Sequence, residues 1–190
     1  MKRRREMVIR LVQMEVVPGC PSENAERILA AMGAARADGV EVAVFPEMAI
    51  PGYLLGDEWE REAFLRDCEA AGERLRDAAR ELTVIFGNVA VDWTRRNEDG
   101  RVRKYNALWV ARDGRWVGPE KGRYPFVIKT LLPNYREFDD SRHFYDIRKL
   151  ALEEGCPVTD LIRPVPVGDW RLGCILCEDA WDLDYAISPL

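Results

Sequence analysis

The sequence predicts a single mixed α/β domain, and three observations predict it. Strand-like and helix-like segments alternate over residues 7–91. Two turn signals, Asp113-Gly114 and Gly168-Asp169, then sit between apolar runs and mark antiparallel hairpins. The chain has 190 residues, a length that suits one domain burying roughly 70% of its unfolded-chain surface. Alternation first and hairpins afterwards describe a mixed sheet with helices on a face.

Each element has its own reason. Residues 7–16 alternate apolar and polar side chains, as a first strand does. Residues 22–38 form an amphipathic helix, with Ser22 as cap, Ala25, Ile28, Leu29 and Met32 on one face, and Gly39 as its end. Glu41 to Phe45 is a short β-branched run, read as a buried strand that stops at Pro46-Glu47. Residues 51–56 are a loop. Asp57 with Glu60 resembles a capping box opening a helix to about residue 81, with Phe64, Leu65, Cys68, Leu75 and Leu82 inward. Thr83 to Val91 is a strand broken by Gly87, and the polar stretch 92–103 reads as a surface turn. Tyr105 to Arg112 and Arg115 to Val117 form the first hairpin. Residues 118–142 are irregular, and 143–154 form a short helix. Leu161 to Val167 and Trp170 to Leu176 form the second hairpin, so Cys177 closes a strand.

Composition excludes several classes of function. The formal net charge of -5 argues against nucleic-acid binding through general phosphate attraction. One histidine, His143, nearly rules out a histidine-based zinc site, and it reads as a surface or structural residue. Five cysteines at irregular spacing are not a secreted disulfide framework, which points to a reducing, cytoplasmic compartment. The basic run Met1 to Arg5 reads as disordered, and no signal-peptide core or membrane-spanning run follows it. With 23 arginines and 5 lysines, a functional lysine has few candidates.

Three residues stand out chemically. Cys177 lies at a strand end, where a thiol is exposed enough to act as a nucleophile; otherwise it is a small buried apolar residue. Strand alternation puts Cys174 on the opposite face, so Cys174 and Cys177 are not a metal or redox pair. Glu47 follows a buried strand, where partial desolvation suits a general base; otherwise it is a solvated loop side chain. Lys129 follows Phe126-Val127-Ile128, and burial there requires negative charge beside it; otherwise it snorkels to the surface.

Together the three residues carry a resemblance. They lie in Val-Phe-Pro-Glu-Met-Ala-Ile-Pro-Gly-Tyr, Lys-Thr-Leu-Leu-Pro-Asn-Tyr-Arg-Glu-Phe-Asp-Asp and Gly-Cys-Ile-Leu-Cys-Glu-Asp-Ala-Trp. Their order resembles the Glu-Lys-Cys triad of the nitrilase (carbon–nitrogen hydrolase) superfamily. The Leu-Pro-Asn-Tyr block and the Cys-Glu-Asp-x-Trp ending are most similar to the glutaminase domain of glutamine-dependent NAD synthetases. The resemblance implies an αββα sandwich of mixed sheets. It implies Cys177 as nucleophile, Glu47 as general base, and Lys129 with the backbone N–H of Glu178 at the oxyanion. Tyr53, Tyr135 and Glu178 match substrate-pocket positions, with Glu178 facing the substrate ammonium. The chemistry needs no metal and no cofactor; ATP belongs to the synthetase domain. The implied partners are glutamine, a synthetase domain or subunit and a second copy of the chain, with neither nucleic acid nor membrane.

Two departures from the family pattern follow. The family block ends Phe-Asp-Glu, whereas here it ends Phe138-Asp139-Asp140, leaving open whether Asp140 or Glu137 takes the glutamate's place. Cys177 also lies close to the end of the chain, which implies a truncated, C-terminally incomplete glutaminase domain over residues 7–190 without the synthetase domain. A stand-alone amidase or carbamoylase acting on another small amide, and an inactive fragment, are the competing expectations.

Overall fold

The apolar stripes of two long helices set the architecture. In a computed structural model of the chain, residues 6–181 are described. The basic run Met1 to Arg5 and the last part of the expected domain, residues 182–190, lie outside them. Strand β1 (Ile9–Leu11) pairs in parallel with β2 (Val42–Val44), and β2 in parallel with β3 (Thr83–Arg96). Parallel neighbours need long crossovers. These are helices α1 (Pro21–Ala37) and α2 (Glu62–Ala78). Ala25, Ile28 and Met32 of α1 and Leu65, Cys68 and Leu75 of α2 are fully buried, at the helical spacing expected of one core-facing stripe. They pack with Ala43, Val84 and Phe86 in one apolar cluster.

The sheet continues antiparallel through β4 (Val102–Arg112), which pairs with β3, β5 (Arg115–Trp116) and β6 (Phe126–Ile128). The opposite face is covered differently. The ribbon of β7 (Val165–Val167) and β8 (Trp170–Leu172) places Val165 and Val167 against Val42, Ile85, Val110 and Val127. A short turn of helix, α3 (Asp140–His143), precedes α4 (Ile147–Glu154), which returns to the face of α1 and α2: it packs on Ala90, Tyr105 and Ile128, and the register puts these on the same face as Val84 and Phe86. Helices therefore lie over one face of a mixed sheet, with further strands over the other, in the layer order of the expected sandwich.

Several boundaries differ from the expectation, each for a physical reason. Helix α1 starts at Pro21 rather than after a Ser22 cap, because proline at the first helical position is already set at helical φ and lacks the N–H that would go unpaired. Glu60 does not cap a helix: residues 56–60 form a 3-10 turn, and the Glu60 carboxylate accepts from the buried Lys104 ammonium at 2.9 Å. Helix α2 ends at Ala78, and Glu81, at a φ of 56°, turns the chain into β3. The expected surface turn 92–103 shrinks to 97–101, because β3 and β4 run on as a two-stranded ribbon past a register irregularity between Asp92 and Arg96. The helix expected over 143–154 divides at Asp146, whose carboxylate caps α4 by accepting from the Arg148 N–H at 2.7 Å. His143 is buried at 3.5 Å from Glu60, as a structural residue.

Candidate active site

Glu47 owes its place to a proline and a glycine. The N–H of Phe45 still donates to the Ile85 carbonyl at 2.8 Å, extending β2, and the Gly87 N–H donates to the Pro46 carbonyl at 3.1 Å. Proline has no N–H to continue the ladder, so the chain turns. Met48 takes a left-handed φ of 50°, and the Ile50 N–H returns to the Gly87 carbonyl at 3.3 Å. Gly87 does not break β3. It lets the turn lie directly on the strand, since a Cβ there would sit 2.2 Å from the Met48 nitrogen and 2.7 Å from the Glu47 Cα.

Lys129 follows β6, and its N–H donates to the Asn106 carbonyl of β4 at 2.9 Å. Its side chain is 1% exposed, and its ammonium donates to Glu47 Oε1 at 2.7 Å and to Asp140 Oδ2 at 3.3 Å. Burial pushes the ammonium down, but the two carboxylates outweigh it and hold Lys129 above the ordinary lysine value. Asp140 thus takes the position left open in the sequence, while Glu137 is exposed. The shorter aspartate is completed by Tyr53, whose hydroxyl donates to the Asp140 carboxylate at 2.6 Å and lies 3.3 Å from the lysine. Burial raises Asp140 above the usual carboxylate range, against the opposing pull of Tyr53 and Lys129. Tyr53→Phe leaves that buried carboxylate one donor short. We expect urea unfolding to register a loss of about 1–2 kcal/mol; an unchanged midpoint would show that the bond carries no net stability.

Cys177 does not close a strand. Strand β8 ends at Leu172, and Cys177 opens a 3-10 turn to Trp181. The turn is stapled by Asp179, whose buried carboxylate accepts from the N–H groups of Thr130, Leu131 and Leu176 at 2.8–3.2 Å. Asp179 therefore ties the cysteine turn to the residues just after Lys129. Cys177 is exposed and adopts a left-handed φ of 42°, a conformation that costs a non-glycine residue about 1–3 kcal/mol. Its thiol lies near enough to the Glu47 carboxylate to feel its charge. Burial and the Glu47 charge push the thiol up while Lys129 pulls it down, and the balance stays above the ordinary thiol value. At rest this is a neutral thiol beside a carboxylate. Cys174 is separated from it by packing rather than by strand alternation, because it belongs to the apolar cluster under β7.

The remaining expected residues form a rim. The Tyr135 hydroxyl donates to Glu178 Oε2 at 2.8 Å, with Tyr135 exposed and Glu178 half-buried. Phe138 lies edge-on between Tyr135 and Tyr53, with ring centroids 5.6 and 5.7 Å away. The structure therefore gathers Glu47, Lys129, Cys177 and Tyr53, with Tyr135 and Glu178 paired at the cysteine turn. Sequence reading missed Asn106, which donates to Glu47 Oε1 at 2.7 Å, and the stapling role of Asp179. For Asp179 the Cys-Glu-Asp-x-Trp ending was a usable signal. Asn106 sits inside a strand and carried no such local signal. Among the described residues no group of three His, Cys, Asp or Glu side chains is placed to hold a metal ion.

Helices over one face of a mixed sheet and strands over the other define a nitrilase-type α/β fold. A solved glutamine-dependent NAD+ synthetase from Acinetobacter baumannii shares it, with a TM-score of 0.70 and 24% identity over 91% of this chain and 28% of that one. So does an amidase from Nesterenkonia, with a TM-score of 0.65 and 20% identity over 93% of this chain and 57% of that one. The model of the carbon–nitrogen hydrolase family matches residues 8–182, and the chain belongs to that family. Among curated relatives, the glutamine-dependent NAD(+) synthetase of Rhodobacter capsulatus is 35% identical over 179 residues, and that of Xanthomonas campestris 32% over 174. The chain spans 28% and 27% of their respective lengths. No helix among the described residues is long and apolar enough to cross a membrane.

Proposed function

We propose that this chain is the glutamine-hydrolysing part of a glutamine-dependent NAD synthetase. The observation that carries the reading is one carboxylate, Glu47, held by Lys129 at 2.7 Å and facing the Cys177 thiol. An amide is a poor electrophile, and a neutral thiol needs a base as it attacks. Glu47 takes the proton while Sγ adds to the γ-carboxamide carbon. Lys129 and the Glu178 N–H hold the oxyanion, a contribution of roughly 3–4 kcal/mol per donor in comparable sites. Glu47 then returns the proton to the leaving ammonia, and a γ-glutamyl thioester remains. A water activated by Glu47 releases glutamate and restores the thiol. Tyr135 and Glu178 line the glutamine site, with Glu178 meeting the substrate ammonium.

The step itself needs no cofactor or metal. ATP is used by a synthetase domain or subunit that consumes the ammonia, and the chain works in the cytoplasm as part of a homo-oligomer. All five cysteines are free thiols, which suits a reducing compartment.

The test measures ammonia release from glutamine, from N-carbamoyl amino acids and from aliphatic amides. Glutamine is expected to be preferred, and Cys177→Ala is expected to lose all three activities with the fold retained. Preference for another amide would assign a stand-alone amidase or carbamoylase instead. A chain that neither hydrolyses amides nor labels at Cys177 with a glutamine-analogue electrophile would be an inactive fragment.

A further inference from the structure

We propose that Asn106 is a positioning residue that fixes which oxygen of Glu47 works as the base. The proposal rests on Glu47 as the proton acceptor for Cys177 and names the residue that aims it. Asn106 lies on β4 opposite Val89 and is 1% exposed. Its Nδ2 donates to Glu47 Oε1 at 2.7 Å, and Lys129 donates to the same oxygen at the same distance. Two donors on Oε1 leave Oε2 to meet the thiol and, later, the water. The backbone carbonyl of Asn106 accepts from the Lys129 N–H at 2.9 Å, so one residue holds the base through its side chain and the lysine through its main chain.

A second observation separates this from ordinary packing. Asn106 Oδ1 is buried with no hydrogen-bond partner. A buried amide that leaves its oxygen unpaired is an uncompensated cost, and such groups call for an explanation. Here the amide's bonding lies on the Nδ2 side, toward Glu47, and the lone oxygen is what that aim leaves over. The groups facing the Glu47 carboxylate are Lys129 from the segment after β6, Cys177 from the turn after β8, Asn106 from β4, and the Tyr53 and Asp140 pair behind the lysine.

The experiment compares the whole chain with its Asn106→Leu and Asn106→Asp variants. Leucine keeps the volume without the donor, and aspartate keeps the shape but turns a donor into an acceptor. Iodoacetamide labelling, followed at the Cys177 peptide by mass spectrometry, gives an amplitude and a rate constant without reference to any substrate. Asn106→Leu is expected to label to full amplitude but about tenfold more slowly, and Asn106→Asp more slowly still, because a misaimed carboxylate no longer takes the thiol proton. With glutamine, kcat is expected to fall about ten- to a hundredfold while KM stays within about threefold. A reduced amplitude at an unchanged rate constant assigns Asn106 to the scaffold alone and overturns the proposal. So does a wild-type rate in the aspartate variant, or failure of both variants to fold. If the unmodified chain labels rapidly at Cys177 but does not hydrolyse glutamine, the glutaminase reading fails and the labelling rates still decide the role of Asn106.

Discussion

Replacing Lys129 with methionine is expected to cost about 3–5 kcal/mol of stability and about a thousandfold in amide hydrolysis. The stability loss comes from the company the lysine keeps. Its ammonium stands between Glu47, at 2.7 Å, and Asp140, at 3.3 Å, with both the lysine and Asp140 side chains almost fully buried. Removing one member of a buried ionic group leaves the others charged without compensation, which is costlier than never having built the group. The pH dependence has a definite sign. Lys129 stands above its ordinary value in the fold, so its contribution is fully present below the unfolded lysine value and is lost as pH rises through the folded one. Asp140 is already raised by burial, and without the lysine it rises further. A raised carboxyl penalises the fold above its folded value, and the penalty disappears as pH falls below the unfolded one. The methionine variant is therefore expected to show its largest deficit in chemical denaturation near pH 8 and a smaller one near pH 5. The rate loss follows from taking away the proposed oxyanion donor and half the hydrogen-bonded support of Glu47. Hydrolysis within tenfold of the parent, or a deficit that grows toward acid pH, would contradict this account.

The site was readable in the sequence where its chemistry is local. Pro46-Glu47 after a buried run, a lysine after Phe126-Val127-Ile128, and Cys177 followed by Glu178-Asp179 each declare themselves within a few residues. The stripe on α2 was readable for the same reason, because helical spacing is a local rule. What depends on distant pairing was not. Asn106 reaches Glu47 across 59 positions, and nothing beside it in sequence announces the contact. Residues 92–103 are polar, and polarity reports exposure rather than conformation, so a ribbon standing out from the sheet reads as a turn. The choice between Asp140 and Glu137 turned on where α3 begins. Asp140 opens that turn facing Lys129, whereas Glu137 lies one loop earlier at the surface. The expected setting of Cys177 was wrong. The sequence placed it at a strand end, but what orients it is the Asp179 carboxylate gathering the N–H groups of Thr130, Leu131 and Leu176.

Gly87→Ala is expected to be nearly as damaging as the loss of the lysine, although it adds a single methyl group. Inside a strand, an alanine is ordinarily tolerated and even favoured over glycine. At position 87 the added Cβ would meet the Met48 nitrogen at 2.2 Å and the Glu47 Cα and carbonyl carbon at 2.7 Å. These are backbone atoms, so no side-chain rotation relieves the clash. The turn must lift off β3, and the two bonds that seat it, from the Gly87 N–H to Pro46 and from the Ile50 N–H to Gly87, lengthen with it. Overpacking of this kind costs about 3 kcal/mol at the upper end of its usual range. A carboxylate moved by about 1 Å loses about a hundredfold in rate, since a base works only within hydrogen-bond reach of its proton. Gly33, inside α1, is different: a Cβ there would meet nothing within 4 Å, and Gly33→Ala is expected to stabilise by about 0.5–1 kcal/mol. Thermal unfolding of the two variants should therefore move in opposite directions, and Cys177 labelling should slow only in the first. If Gly87→Ala unfolds and labels as the parent does, the close seat of the Glu47 turn on β3 is not what holds the base in place.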